Sequence, residues 1–216
     1  MKSTALNRFG WCFLLYTMVL GCKKKPTDSL KLLFEGDSDI EGWNIEGYEN
    51  AKNVGLGGAT CQDVLAELND TLAAYPARTM VLVCGENDLW ERSAIETFSV
   101  FKSIVESARE ANSSVVYMGT KPEPATIDLH AEYREYDSLI RQYAIDIAIA
   151  PVAPLVMIDV YNGFEELGNP RSLYAEDQLH LSDEGYDYWN QWLNLALTDE
   201  GCVIWKSGSC THSLSD

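Results

Sequence analysis

The chain has 216 residues, of which 46% are hydrophobic and 23% charged, and its formal net charge is -17. That length and mixture suit one globular domain with a core that needs no metal or disulfide staple to fold, and they set aside wholesale disorder and a second full domain. The acidic excess also makes nucleic acid a poor partner, because phosphate binding relies on clustered Lys and Arg.

Residues 1–21 carry Lys2 and Arg8 ahead of an apolar run, 11–20, and no acidic residue precedes Asp28. These are the n-region and h-region of an export signal, too short for a comfortable membrane span. Val19-Leu20-Gly21-Cys22 resembles a bacterial lipobox, which implies cleavage before Cys22 and diacylglycerol on its thiol. Residues 22–29, with Lys23, Lys24 and Lys25, then read as a lipidated tether beside the membrane. The expected location is therefore the cell-envelope membrane, on its periplasmic or cell-surface side. Export leaves Cys61, Cys84, Cys202 and Cys210 in an oxidising compartment. Cys202 and Cys210 are expected to pair within a C-terminal tail, 201–216, while Cys61 and Cys84 stay open between a disulfide and two buried thiols. No CxxC or Cys/His cluster has zinc spacing, so neither a metal nor a cofactor is expected.

Residues 30–200 read as the folded domain. The apolar stretch 30–34 predicts a strand that ends in Gly36-Asp37-Ser38, a turn that presents a serine hydroxyl at the strand's carboxyl end. Ser38 is thus the candidate nucleophile. Residues 41–50 predict a polar loop and 51–54 a short strand. In Gly55-Leu56-Gly57-Gly58-Ala59-Thr60 the glycines allow backbone N–H groups to approach a ligand. Thr60 with Asp63 marks a helix start, and Val64, Leu65, Leu68 and Leu72 recur at helical spacing.

Residues 79–84 predict a central strand covered on both faces, ending in Gly85-Glu86-Asn87-Asp88. A helix through Ile95, Phe98, Phe101, Ile104, Val105 and Ala108 and a strand over 114–119 follow. Next comes a stiff loop, Lys121-Pro122-Glu123-Pro124, and a helix whose stripe of Leu129, Tyr133, Tyr136, Ile140 and Tyr143 reads as core packing. Pro151 and Pro154 introduce the last clear strand, 155–160. Ser182, with Asp183 and Glu184, opens a final helix through Tyr186, Trp189, Leu193 and Leu197. This alternation predicts an α/β fold, a three-layer α/β/α sandwich on a mostly parallel sheet.

Among the three histidines, His212 falls in the tail and His130 sits among tyrosines and acids, which leaves His180 as the candidate base. Asp177 lies three residues before it, close enough to accept the imidazole N–H and stabilise the imidazolium. Gly36-Asp37-Ser38, the glycine run 53–60, Gly85-x-Asn87-Asp88 and Asp177-x-x-His180 occur in the order of the four blocks of the SGNH (GDSL-type) hydrolase family, which this chain resembles. The resemblance implies a flavodoxin-like sandwich and a serine esterase that cleaves small acyl esters through an acyl-enzyme intermediate, O-acetyl groups on glycans among them. It implies Ser38, His180 and Asp177 as the triad, and an oxyanion hole formed by the Ser38 and Gly58 N–H groups and the Asn87 amide.

Two acids depart from the family pattern. Asp39 replaces the usual apolar or small residue after the serine and is expected to face solvent; Glu86 adds a charge that disfavours anionic substrates. Trp43, Trp90 and Lys121 are candidate substrate-binding residues, the tryptophans as stacking surfaces. Two alternatives accompany the esterase reading: an acyltransferase on the same triad, and a catalytically inactive lipoprotein that binds a glycan or protein.

Overall fold

Residues 30–149 and 154–215 are described by a computed structural model. The export signal, Cys22, the lysine tether and Pro151 lie outside the described residues. Seven strands form one sheet: β1 (Leu30–Gly36), β2 (Ala51–Asn53), β3 (Ala77–Val83), β4 (Ser114–Met118), β5 (Leu155–Ile158), β6 (Cys202–Lys206) and β7 (Ser209–Ser213), in the order β2-β1-β3-β4-β5-β6-β7. The ladders from β2 to β6 are all parallel, and β7 alone runs antiparallel.

Side-chain alternation in β1 shows why the sheet is covered on both faces. Leu33 joins the core beneath α2 (Cys61–Ala74), α3 (Ala94–Glu110) and α4 (His130–Ile147), whereas Leu32 and Phe34 join the opposite core. That second core is closed by α1 (Ser38–Gly42), α5 (Val160–Glu166) and α6 (Asp183–Thr198). The result is the expected three-layer sandwich. The tyrosine stripe of α4 packs as read, with Tyr133 and Tyr136 fully buried. No helix among the described residues is long and apolar enough to cross a membrane.

The helix starts follow local chemistry. Thr60 caps α2 and Ser93 caps α3, each in a reciprocal capping box with the acid three residues on, Asp63 and Glu96. After β1 the chain runs outward to β2 and then crosses back to β3 on β1's other side. Such a reversal opens a crevice at the strands' carboxyl ends, where ligands collect in open α/β sheets.

Three features depart from the expectations. The segment after Gly36 is not a plain turn: Ser38 opens the single-turn helix α1, whose N-cap, Asp37, accepts the Asp39 N–H at 3.0 Å. The strand expected over 155–160 ends at Ile158, and residues 160–166 form α5, a helix to which the sequence reading assigned no element; Gly163 leaves room for Trp192, which would meet an added Cβ at 2.7 Å. Most of the expected tail belongs to the sheet, as β6 and β7. Val203, Ile204 and Trp205 are buried in β6 against β5, and Ser207-Gly208, both at positive φ (49° and 75°), turn the chain into β7. The Cys202–Cys210 disulfide crosses this hairpin, and a second disulfide joins Cys61 to Cys84.

Of the described glycines, Gly36 has the least room for a side chain. Its φ is +145°, and a Cβ there would lie 2.0 Å from the Val83 carbonyl oxygen of the neighbouring strand. The Gly36→Ala variant is expected to lose roughly 3–5 kcal/mol of stability, since backbone cannot yield as a side-chain tip can. A urea melt with an unchanged midpoint would contradict this.

Candidate active site

Side-chain hydrogen bonds bolt the sequence blocks together at the carboxyl end of the sheet. Asn53 donates through Nδ2 to the Ile40 carbonyl at 2.6 Å and the Trp43 carbonyl at 3.2 Å, which fastens the glycine run to α1. Asp88 Oδ2 accepts the Cys61 N–H at 2.8 Å, so the third block satisfies an otherwise unpaired donor at the start of α2. The Cys61–Cys84 disulfide and a 3.1 Å bond from Asn87 Nδ2 to the Ala59 carbonyl tie the same two segments. Sequence reasoning assigned no role to Asn53 or Asp88; their place inside the blocks was the only signal.

His180 meets Ser38 across a chain separation of 142 residues. Its Nε2 lies 3.1 Å from Ser38 Oγ, and its Nδ1 lies 2.7 Å from Asp177 Oδ2. The second carboxylate oxygen, Asp177 Oδ1, accepts the backbone N–H groups of Leu179 and His180 at 3.0 and 3.1 Å. The acid is thereby held by its own loop against this imidazole. These contacts hold the Asp177 carboxyl down at about 2, chiefly through His180. The same bond raises the His180 pKa above its ordinary value, with the nearby Asp39 carboxylate acting in the same direction and partial burial opposing both.

A cavity of about 320 Å³ opens beside this chain of contacts, lined among others by Ser38, Gly58, Asn87, Trp90, Glu123 and His180. Ser38 is the first residue of α1, so its N–H has no acceptor within the helix. Asn87 uses one amide hydrogen on Ala59 and carries a second. The segments that the sequence singled out therefore converge on one cavity. Trp90 remains 60% exposed at that cavity and is available to a ligand.

Trp43 and Lys121 are not surface-binding residues. Trp43 is 3% exposed, packs edge-on against Phe34 at 5.1 Å, and donates its indole N–H to Asn190 at 2.8 Å. Lys121 is 1% exposed, and its ammonium pairs with Asp39, Glu86 and Glu123. Nor does Asp39 face solvent: it is buried and turned inward, because that ammonium waits for it there. Burial, followed by the Asp39 charge, pushes the Asp37 carboxyl up to about 7. Burial and then Glu123 push Glu86 well above its usual range. Asp37, Asp39 and Glu86 form the one group among the described residues with carboxylate spacing suited to a metal ion, and Lys121 already supplies a cation to two of them. His130 takes a supporting place, its Nε2 lying 2.8 Å from the Glu123 carbonyl.

The model of the GDSL-like lipase/acylhydrolase family matches residues 37–188, a span that contains Ser38, Gly58, Asn87, Asp177 and His180. The chain belongs to this family. As a GDSL-like acylhydrolase it is a carboxylic ester hydrolase, and its mostly parallel sheet is the family's α/β arrangement. Solved structures agree on the fold. A member of the lipolytic protein G-D-S-L family from Veillonella parvula superposes with a TM-score of 0.60 at 21% identity, covering 74% of this chain and 93% of that one. A GDSL-like lipase from Bacteroides thetaiotaomicron gives 0.60 at 21% identity, covering 78% and 87%. An acetylxylan esterase from Geobacillus stearothermophilus gives 0.60 at 17% identity, covering 73% and 89%. No curated protein matches the chain.

Proposed function

We propose that this acylhydrolase is a serine esterase for small acyl groups, with Ser38 as nucleophile, His180 as general base and Asp177 as its orienting acid. One observation carries the reading: the unbroken line of contacts from Asp177 through His180 to Ser38 Oγ at the wall of a cavity. His180 Nε2 takes the Ser38 proton as Oγ attacks the ester carbonyl. The oxyanion receives hydrogen bonds from the Ser38 and Gly58 N–H groups and the Asn87 amide. The imidazolium then protonates the departing alcohol, and a water activated by His180 releases the acid. Hydrolysis is favoured over acyl transfer because the His180 side chain is 43% exposed, so water reaches the base.

O-acetyl groups on glycans are the preferred substrate class. The exposed Trp90 offers a face on which a sugar ring can stack. An acetylxylan esterase among the structures of the same fold is consistent with that choice. The enzyme would act from the envelope membrane, held by diacylglycerol on Cys22, and the intact mass of the membrane-extracted protein checks that anchor.

Protein lacking residues 1–22 is expected to hydrolyse p-nitrophenyl acetate and acetylated xylo-oligosaccharides and to be labelled by a serine-directed fluorophosphonate. Hydrolysis without labelling at Ser38 would defeat the assignment. The pH profile follows from the base. Protonated His180 cannot accept the serine proton, so kcat/KM is present above its folded pKa and lost as pH falls through it. With that pKa raised, the acid limb should lie above the ordinary histidine value of 6.5. Asp177→Asn removes the largest cause of the rise, so the limb should move to lower pH while kcat drops by up to about 10⁴-fold. A limb that does not move would place the titrating group elsewhere.

A further inference from the structure

Lys121 stands in the loop after β4, and every bond it makes is to the machinery around the cavity. Its Nζ lies 2.5 Å from Asp39 Oδ2 and 2.8 Å from Glu123 Oε1 and also pairs with Glu86 Oε2, while its backbone N–H donates to Glu86 Oε1 at 2.6 Å. Asp39 directly follows Ser38, and Glu86 directly precedes Asn87. A single side chain is therefore bonded to the neighbour of the nucleophile and to the neighbour of the oxyanion amide. The other oxygen of Asp39, Oδ1, is buried with no partner among the described residues, so Lys121 is the anchor of that side chain. Glu123 is held in turn by Thr126 Oγ1 at 2.8 Å and the Tyr133 hydroxyl at 3.2 Å.

Net stability is a poor reason for such a cluster. Desolvating several charges costs about as much as their attraction returns, and apolar groups of similar volume often serve as well. What the cluster does supply is a single allowed geometry, because any shift of α1 or of the loop after β3 strands a buried charge. Burial opposes the Lys121 charge, yet the Asp39, Glu123 and Glu86 carboxylates outweigh it and keep the ammonium protonated.

We propose that Lys121 is a positioning residue for ester cleavage: it clamps α1, which carries Ser38, to the loop that carries Asn87, and so sets the separation of the attacking hydroxyl and the oxyanion-binding amide. The inference rests on the roles proposed above for those two residues. Misplacement by an ångström at a reacting centre costs on the order of 100-fold in rate without weakening ground-state binding.

The test uses Lys121→Met and a charge-matched pair, Asp39→Asn with Lys121→Met, each measured by thermal melting and by kcat and KM on p-nitrophenyl acetate. Both variants should melt cooperatively, with kcat about 10- to 100-fold lower and KM within about threefold of the unmodified enzyme. A charge-matched variant with full kcat would overturn the inference, since Lys121 would then only balance charge. So would a raised KM at unchanged kcat, which would mean a direct substrate contact. Failure of both variants to fold would overturn it too, by making the cluster a folding requirement. Ser38→Ala, run alongside, separates the two levels: an active Ser38→Ala enzyme removes the proposed chemistry itself, whereas an inactive one beside full-rate Lys121 variants removes only the clamp.

Discussion

Ser38→Ala is expected to lower kcat for p-nitrophenyl acetate by on the order of 10⁴–10⁶-fold and to abolish fluorophosphonate labelling, with the melting curve almost unchanged. The size follows from the proposed mechanism: without Oγ no acyl-enzyme could form, and only the proposed oxyanion donors and substrate positioning would remain to assist direct attack by water. The structural effect should be small because Ser38 is half-buried at the first position of α1, and its hydroxyl bonds to His180 rather than to the core. Adding His180→Ala to Ser38→Ala should cost little more, because in the proposed mechanism the two side chains act as one unit and the first loss already contains the second. A double variant another 100-fold slower would show that His180 acts on something other than the serine.

Asn87→Ala is expected to lower kcat by about 10²–10³-fold with KM within a few fold. An oxyanion donor serves charge that develops only in the transition state, so its loss spares ground-state binding. The substitution also removes the bond to the Ala59 carbonyl, which should cost about 0.5–1.5 kcal/mol of stability. The two effects are separable: a rate loss that persists far below the melting temperature belongs to the oxyanion site. A comparable rise in KM would instead mean that Asn87 grips the ester before reaction.

Much of this enzyme was legible in its sequence because the relevant signals are local. A parallel strand covered on both faces must be apolar along its length, so 79–84 could be read without tertiary information, and it lies within β3 but for its last residue. Thr60 with Asp63 specifies a capped helix within four residues, and both reciprocal bonds are present. Asp177 and His180 are three residues apart, so their contact needed only a loop that folds back. Elements with mixed local signals were missed. Residues 160–166 carried no assignment beyond the end of a strand, since a helix of seven residues with Asn162-Gly163 inside it has little local periodicity, and residues 202–206 read as a tail until β5 offers an unpaired edge. The apolar stretch Val203-Ile204-Trp205 ahead of Ser207-Gly208 was the available hairpin signal.

By itself the sequence determined which strand ends carry polar groups, and in what order a serine, a glycine run, an amide and an acid–base pair meet the solvent at the end of the sheet. Spacing and turn chemistry suffice for that, since each depends on neighbours along the chain. Whether Asp39 faces water or the interior was decided only by the tertiary structure, for a carboxylate enters a core only where a counter-ion or hydrogen-bond donors meet it, and Lys121 arrives from 82 residues away. The same meeting withdrew Lys121 from the surface and set it beneath the site, where local sequence cannot reveal it.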